Sequence, residues 1–187
     1  MNDLELQDFM ILDNAKENKA FNEDANELVK KIKADIVYID TPYNSRQYAS
    51  NYHLLENVAR NEQPELKGVT KIFDWKNLKS DYAAKKTALQ SMEDLIKNID
   101  ATHIILSYNN EGIISEEDLT AVLKKNSIDA TVDIKRIPYK KYNSKIAPKT
   151  KELYELLFYI QKKPFPKEST QKNTTKSEVK IGSTQKY

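Results

Sequence analysis

The 187-residue chain sets 30 Lys and Arg against 28 Asp and Glu, a formal net charge of +2, so it is neither a global polycation nor a polyanion. Hydrophobic residues at 39% and charged residues at 31% suit one soluble globular domain with a polar tail. A chain of this length buries roughly 70% of its unfolded surface. The absence of cysteine excludes disulfides and thiolate metal sites, no apolar run nears the ~18 residues of a membrane span, and the acidic start Met1-Asn2-Asp3-Leu4-Glu5 is no secretory signal. A cytoplasmic protein without membrane or metal is expected. His53 and His103 stand alone, with no partner at ligand spacing, and read as structural residues.

Residues 1–21 hold one apolar cluster, Phe9-Met10-Ile11-Leu12, and no clear period. From Asn22 to Ile32, an apolar stripe of Leu28, Val29 and Ile32 behind a cap at Asn22 or Asp24 predicts a helix. Ala34 to Tyr43 then reads Ala-Asp-Ile-Val-Tyr-Ile-Asp-Thr-Pro-Tyr. Its β-branched Ile36, Val37 and Ile39, with Tyr38, predict a strand of a sheet covered on both faces. The apolar run stops at Asp40, Pro42 forbids further ladder pairing, and Tyr43 places an aromatic ring in the following loop. Ligands of open α/β sheets bind outside the carboxyl ends of parallel strands, so this exit is the candidate reaction site. The same four residues also suit an ordinary turn or helix cap.

Ser50 to Asn61 is predicted as a helix with Leu54, Leu55 and Val58 on one side, and residues 63–79, holding Pro64, Gly68 and Trp75, as a loop. Ala83, Ala84, Ala88, Leu89, Met92, Leu95 and Ile96 recur at three- and four-residue intervals and predict one long helix from Ser80 to Ile99. Thr102 to Leu106 is a second buried strand, ending at Ser107-Tyr108-Asn109-Asn110. Ser115, Glu116 and Glu117 open a helix to about Lys125, with acids where the macrodipole favours them. Thr131 to Ile137 is a strand, Pro138 to Lys151 a basic loop, and Leu153 to Gln161 a last strand. With no helix between them, these two strands form an antiparallel hairpin at a sheet edge. Almost no apolar residue follows Pro164, and 164–187 is expected as a disordered polar tail. The order of elements predicts an α/β fold, half of a doubly wound sheet.

Two further features bear on chemistry. Lys135, Arg136, Lys140, Lys141, Lys145, Lys149 and Lys151 lie together without an intervening acid, and Tyr139 and Tyr142 sit among them. Such a patch either tracks phosphates or is a solvated surface. None of the three glycines, Gly68, Gly112 and Gly182, lies in a Gly-rich strand-to-helix turn, so no phosphate cradle or dinucleotide fingerprint is present.

Asp40-Thr41-Pro42-Tyr43 resembles the Asp-Pro-Pro-Tyr signature of amino-methyltransferases that act on adenine in DNA. Asn44-Ser45-Arg46-Gln47-Tyr48, Asn51-Tyr52-His53-Leu54-Leu55-Glu56 and Leu106-Ser107-Tyr108-Asn109-Asn110-Glu111-Gly112 are similar to blocks of the Dam-like class, over about residues 9–163. The resemblance implies a DNA adenine-N6 methyltransferase of a restriction-modification system, using S-adenosylmethionine on double-stranded DNA. The implied fold is the second half of a Rossmann-like S-adenosylmethionine-dependent methyltransferase sheet with a terminal antiparallel hairpin, residues 1–163 forming a partial catalytic domain. Asp40 and the Thr41 carbonyl would hold the hydrogens of adenine's exocyclic amine in a turn fixed by Pro42, and Tyr43 would stack on the extruded base. Thr41 in place of proline removes one φ restraint and keeps the carbonyl. Asp24, Phe21 and Asp40 would hold the cofactor. Arg46, Tyr48, Ser107, Tyr108 and Asn109 would meet substrate, and Tyr139, Lys140, Lys141 and Tyr142 would meet DNA. Each has a plainer reading: Asp24 as a helix cap, Tyr43 as a packed turn aromatic, Ser107–Asn109 as a polar turn, Arg46 and the lysines as solvated charges.

In the Dam-like order a Gly-rich cofactor loop and a target-recognition region precede the block of Asp40, and neither is found in this chain. The expected partner is therefore a separate polypeptide carrying both. The alternative is a catalytically inactive truncated remnant or DNA-binding partner subunit. A methyltransferase for RNA or protein amides is a third reading, opposed by Asp40 where such enzymes carry Asn and by the Ser107–Gly112 block. A half-sheet would also expose an apolar edge and face, so a bound partner or marginal solubility is expected.

Overall fold

β-branched runs at 36–39 and 104–105 and the alternation of the last strand build the sheet, and two amphipathic helices roof it. A computed structural model describes residues 15–69, 71–138 and 152–164. In chain order the elements are α1 (Ala25–Leu28), β1 (Lys33–Asp40), α2 (Tyr48–Asn51), α3 (His53–Arg60), 3-10 turns at Lys76–Leu78 and Asp81–Ala83, α4 (Ala88–Asn98), β2 (Asp100–Asn109), α5 (Glu116–Asn126), β3 (Asp133–Pro138) and β4 (Tyr154–Gln161). The fold is α/β, with a four-stranded mixed sheet in the order β1-β2-β4-β3. β1 and β2 run parallel, and β4 pairs antiparallel with both β2 and β3. The last two strands thus form the expected hairpin. The Phe9–Leu12 cluster, the basic loop with Tyr139, Lys140, Lys141 and Tyr142, and the tail from residue 165 lie outside the described residues. No helix among the described residues is long and apolar enough to cross a membrane.

The core lies on one face of the sheet. Ile39, Ile104, Leu106, Tyr108, Leu156, Phe158 and Ile160 meet Met92, Leu95 and Ile96 of α4 and Leu119, Val122 and Leu123 of α5. Each fully buried aliphatic or aromatic side chain contributes about 1.5–3 kcal/mol. α5 starts as its sequence demands: Ser115 Oγ accepts the Asp118 N–H at 3.0 Å, and its hydroxyl donates to the Asp118 carboxylate at 2.9 Å. At the other end of α4, Lys162 Nζ donates to the carbonyls of Ile96, Lys97 and Ile99 at 2.5, 2.8 and 2.7 Å. These are the orphan acceptors of a helix terminus, met by a cation where the macrodipole favours one. Burial lowers the Lys162 ammonium below its ordinary range. Lys162→Ala is expected to cost about 1–2 kcal/mol, read as a lower urea midpoint with an unchanged slope. An unchanged midpoint would show that water serves those carbonyls equally well.

Four expectations need correction. β1 is not covered on both faces: it pairs only with β2 among the described residues, and Ile36 and Tyr38 are 58% and 59% exposed. The helix predicted over 50–61 is split, α2 ending at Asn51 and α3 starting at His53, and its Leu54, Leu55 and Val58 are exposed. The helix predicted over 22–32 is one turn, Ala25–Leu28, because the Lys31 N–H closes on the Leu28 carbonyl at 2.9 Å and turns the chain into β1. The long helix over 80–99 is broken. The Thr87 hydroxyl donates to the Asp81 carbonyl at 2.8 Å, holding a separate 3-10 turn before α4, as local side-chain bonding at a threonine does.

Candidate functional site

Because β1 and β2 are parallel, their carboxyl ends open at the same sheet edge, with Asp40 in register with Ser107. Beyond Asp40 the chain leaves the ladder at Thr41-Pro42 and borders a hollow of about 710 Å³, within the range of small-molecule sites. Three segments form its walls. The β1 exit gives Asp40, Thr41, Pro42, Gln47, Tyr48 and Ala49; the start of α1 gives Glu23, Asp24, Ala25 and Asn26; the segment before α4 gives Leu78 to Tyr82, with Ser91 of α4 beside it.

Asp24 and Asp40 therefore meet across one cavity. Asp24 also caps α1, accepting the Glu27 N–H at 3.1 Å, so its two readings hold together. The Asp40 carboxylate is exposed, and among the described residues it makes no hydrogen bond or ion pair. Glu23, Asp24, Asp40 and Asp81 face a single lining cation, Lys79, and Glu23 is itself paired with Lys31. Among the described residues the buried Thr41 hydroxyl oxygen has no hydrogen-bond partner. Tyr48 is half exposed, its ring edge-on to Tyr52 at 5.7 Å; burial, then the charge of Asp40, raises its hydroxyl above the ordinary range.

Tyr43 does not line this hollow. Its ring rests edge-on to Tyr108 at 6.4 Å, and its carbonyl accepts the Ile113 N–H at 2.8 Å. That bond joins the loops leaving β1 and β2. Tyr108 and Asn109, each 2% exposed, lie within β2 and also stay outside the hollow. The Tyr108 hydroxyl accepts the Ile114 N–H at 3.2 Å, and Asn109 Oδ1 accepts the Glu111 N–H at 2.8 Å, so both shape the turn after the strand. Ser107 is half-buried, Arg46 is exposed, and Phe21 is exposed outside the lining. His53 Nδ1 lies 2.9 Å from the Ser50 carbonyl, and His103 stacks on Tyr159.

The lining also holds groups that sequence reasoning missed. The Tyr82 hydroxyl donates to Asn26 Oδ1 at 2.5 Å, and Asn26 Nδ2 donates to the Asp94 carboxylate at 2.8 Å and the Ser91 carbonyl at 3.0 Å. Burial, then the charges of Asp24 and Asp94, pushes Tyr82 well above the tyrosine range, so it remains a donor. Gln47 spans to Ser80 through both ends of its amide. No spacing rule links residues so far apart. Gln47 lies within a recognisable block, but nothing in that block distinguishes it from its neighbours.

Comparison with known proteins adds the following. Residues 1–122 match the profile of the D12 class N6 adenine-specific DNA methyltransferases. The chain is 74% identical over its whole length to the modification methylase StsI of Streptococcus sanguinis, covering 28% of that protein. It is 43% identical over 85% of its length to the type II methyltransferase M.FokI of Planomicrobium okeanokoites, covering 25% of it. To the modification methylase LlaI of Lactococcus lactis subsp. lactis it is 35% identical, over 85% of its length and 26% of the relative's. The chain thus spans between a quarter and a third of each of these relatives. No solved structure matches.

Proposed function

Since the chain belongs to the D12 class of N6 adenine-specific DNA methyltransferases, we propose that it forms the catalytic part of an enzyme moving a methyl group from S-adenosylmethionine to adenine N6 in double-stranded DNA. The observation that carries this reading is the unengaged Asp40 carboxylate beside the Thr41 peptide, at a strand exit bordering a ligand-sized hollow.

The hollow suits the cofactor by its chemistry. With Glu23 paired to Lys31, the three carboxylates of Asp24, Asp40 and Asp81 against one lysine favour a ligand of net positive charge, such as one carrying a sulfonium and an ammonium beside one carboxylate, and the Thr41 hydroxyl lacks a partner among the described residues. Asp24, Asp40 and neighbouring wall residues would hold it. When bound, S-adenosylmethionine supplies a methyl group on a positively charged sulfur. The task of the protein is to orient a poor nucleophile, since adenine's exocyclic lone pair is delocalised into the ring. Asp40 and the Thr41 carbonyl accept the amine's two hydrogens and direct the lone pair. Tyr43 offers the stacking face for the extruded base, worth on the order of 1–3 kcal/mol, from a loop held against the β2 exit by Ile113. Because Tyr43 stands outside the hollow, base and cofactor take separate places that meet at the Asp40–Pro42 turn. Arg46 and the basic loop 139–151 are proposed to hold phosphates, which positions DNA without reading sequence.

The four strands are proposed as the second half of a Rossmann-like sheet. The side of β1 that pairs with no strand among the described residues, with Ile36 and Tyr38 exposed, and the exposed apolar residues of α3 are the surfaces on which a further methyltransferase segment with the Gly-rich loop would pack. That segment is carried on the same polypeptide or a separate one, in the cytoplasm. The test is to mix the chain with such a segment and follow labelled methyl transfer into duplex DNA. Label is expected in N6-methyladenine. Silence with every complementing segment supports the inactive remnant, and label in RNA or protein overturns the substrate assignment.

A further inference from the structure

One side chain fastens two walls of the hollow. Gln47 Oε1 accepts the Ser80 N–H at 2.8 Å, and Gln47 Nε2 donates to the Ser80 carbonyl at 3.3 Å. Ser80 is extended, with φ −89° and ψ 131°. In that conformation a residue's N–H and C=O point the same way, as they do toward a neighbouring strand. The Gln47 amide takes the neighbouring strand's place, one donor and one acceptor on a single plane. On one side it is anchored where the β1 exit enters α2, next to Tyr48. On the other it holds the residue that opens the 3-10 turn carrying Asp81 and Tyr82, both in the lining. Tyr82 in turn fixes that segment to Asn26 of α1. Asn26 and Tyr82 thus join the α1 wall to the segment around α4, and among the described residues Gln47 is the side chain that ties that segment to the reacting turn's own loop.

We propose that Gln47 is a positioning residue that sets the separation between the Asp40 exit and the Ser80–Tyr82 wall, and through it the fit of the hollow to its ligand. The proposal rests on the cofactor reading of the hollow, and touches no reacting atom itself. An amide is required here because both ends are used. Ionised glutamate retains the acceptor for the Ser80 N–H but sets a negative oxygen against the Ser80 carbonyl. Protonated glutamate restores the donor and is nearly isosteric with glutamine.

With the complementing Gly-rich segment present throughout, the experiment compares the full chain with Gln47→Ala and Gln47→Glu by residue-resolved amide exchange and by calorimetric titration with S-adenosylmethionine, at about pH 4.5 and pH 8. In Gln47→Ala the Ser80 protection factor falls at least about ten-fold at both pH values, amides of Leu106 and Phe158 stay protected, and S-adenosylmethionine binds about ten-fold more weakly. Gln47→Glu, which keeps the acceptor for the Ser80 N–H, holds Ser80 protection above that of Gln47→Ala at about pH 8 but binds S-adenosylmethionine as weakly, and its binding moves back toward the wild-type value, taken at the same pH, at about pH 4.5. That recovery is the signature of a restored donor, which a packing role would not produce. Unchanged Ser80 protection in Gln47→Ala, or a glutamate variant indifferent to pH, overturns the proposal. No binding by any form, wild type included, overturns the cofactor reading instead, and the exchange data then decide the role of Gln47 alone.

Discussion

Asp40→Ala lowers methyl transfer by the complemented enzyme roughly 10²–10⁴-fold, the range lost when a positioned acceptor or proton-accepting group is removed. The same change leaves folding stability within about 0.5 kcal/mol. Asp40 is exposed and makes no hydrogen bond or ion pair among the described residues, so its removal creates neither a cavity nor an orphaned partner. That separation of effects is the diagnostic part, because a carboxylate retained for structure would show the reverse. Asp40→Asn keeps the shape and one acceptor oxygen, and falls between the two. Labelled-methyl turnover and urea denaturation on the same preparations measure both quantities. Turnover within a few-fold of wild type would remove Asp40 from the reaction and with it the central argument for the site.

Gly112→Ala, outside the hollow, is expected to lower stability by about 1–3 kcal/mol. An added Cβ would stand 2.2 Å from Tyr108 Cε1 and 2.9 Å from the Asn109 carbonyl oxygen. Neither neighbour can yield cheaply. Tyr108 is packed in the core with its hydroxyl bound to the Ile114 N–H, and the Asn109 carbonyl already accepts the Gly112 N–H at 2.9 Å. The Tyr108 ring is also the surface against which Tyr43 rests. A shifted ring therefore disturbs Tyr43 and the Ile113–Tyr43 bond, so turnover falls although every residue of the hollow is untouched. Gly68→Ala is the control: nothing lies within 4 Å, and only its φ of +71° is strained, at about 1 kcal/mol. Equal midpoints for the two variants would show that the turn after β2 relaxes around the methyl group.

What could be read from the residues divides along a physical line. Strand exits are written locally, β1 as an apolar run, an acid and a proline and β2 as an apolar run before polar residues, so both strands were legible, whereas the placing of Asp24 with Asp40 came from the family resemblance. The hairpin was legible because no helix pattern separates its strands. Coverage is not written locally. Ile36-Val37-Tyr38-Ile39 has the same β-branched character whether the second face packs on this polypeptide or lies bare. Ser107-Tyr108-Asn109 read as substrate-facing residues, or else a polar turn, yet strand pairing with β4 carries β2 through Asn109 and draws Tyr108 and Asn109 inside. The links that close the hollow, Gln47 to Ser80 and Tyr82 to Asn26, join segments by single side-chain bonds with no periodicity to reveal them.

The bare flank of β1 makes the amount of this protein in a cell matter as much as its sequence. Among the described residues the outer side of β1, beside the exposed Ile36 and Tyr38, has no strand paired to it, and such an edge recruits whatever strand is at hand. A proper complement stabilises the fold by mass action, so the unfolding midpoint rises with the dose of that complement. If the two parts are separate products, synthesis in unequal amounts leaves a surplus whose copies pair with one another, and balanced dosage becomes a condition for recovering enzyme at all.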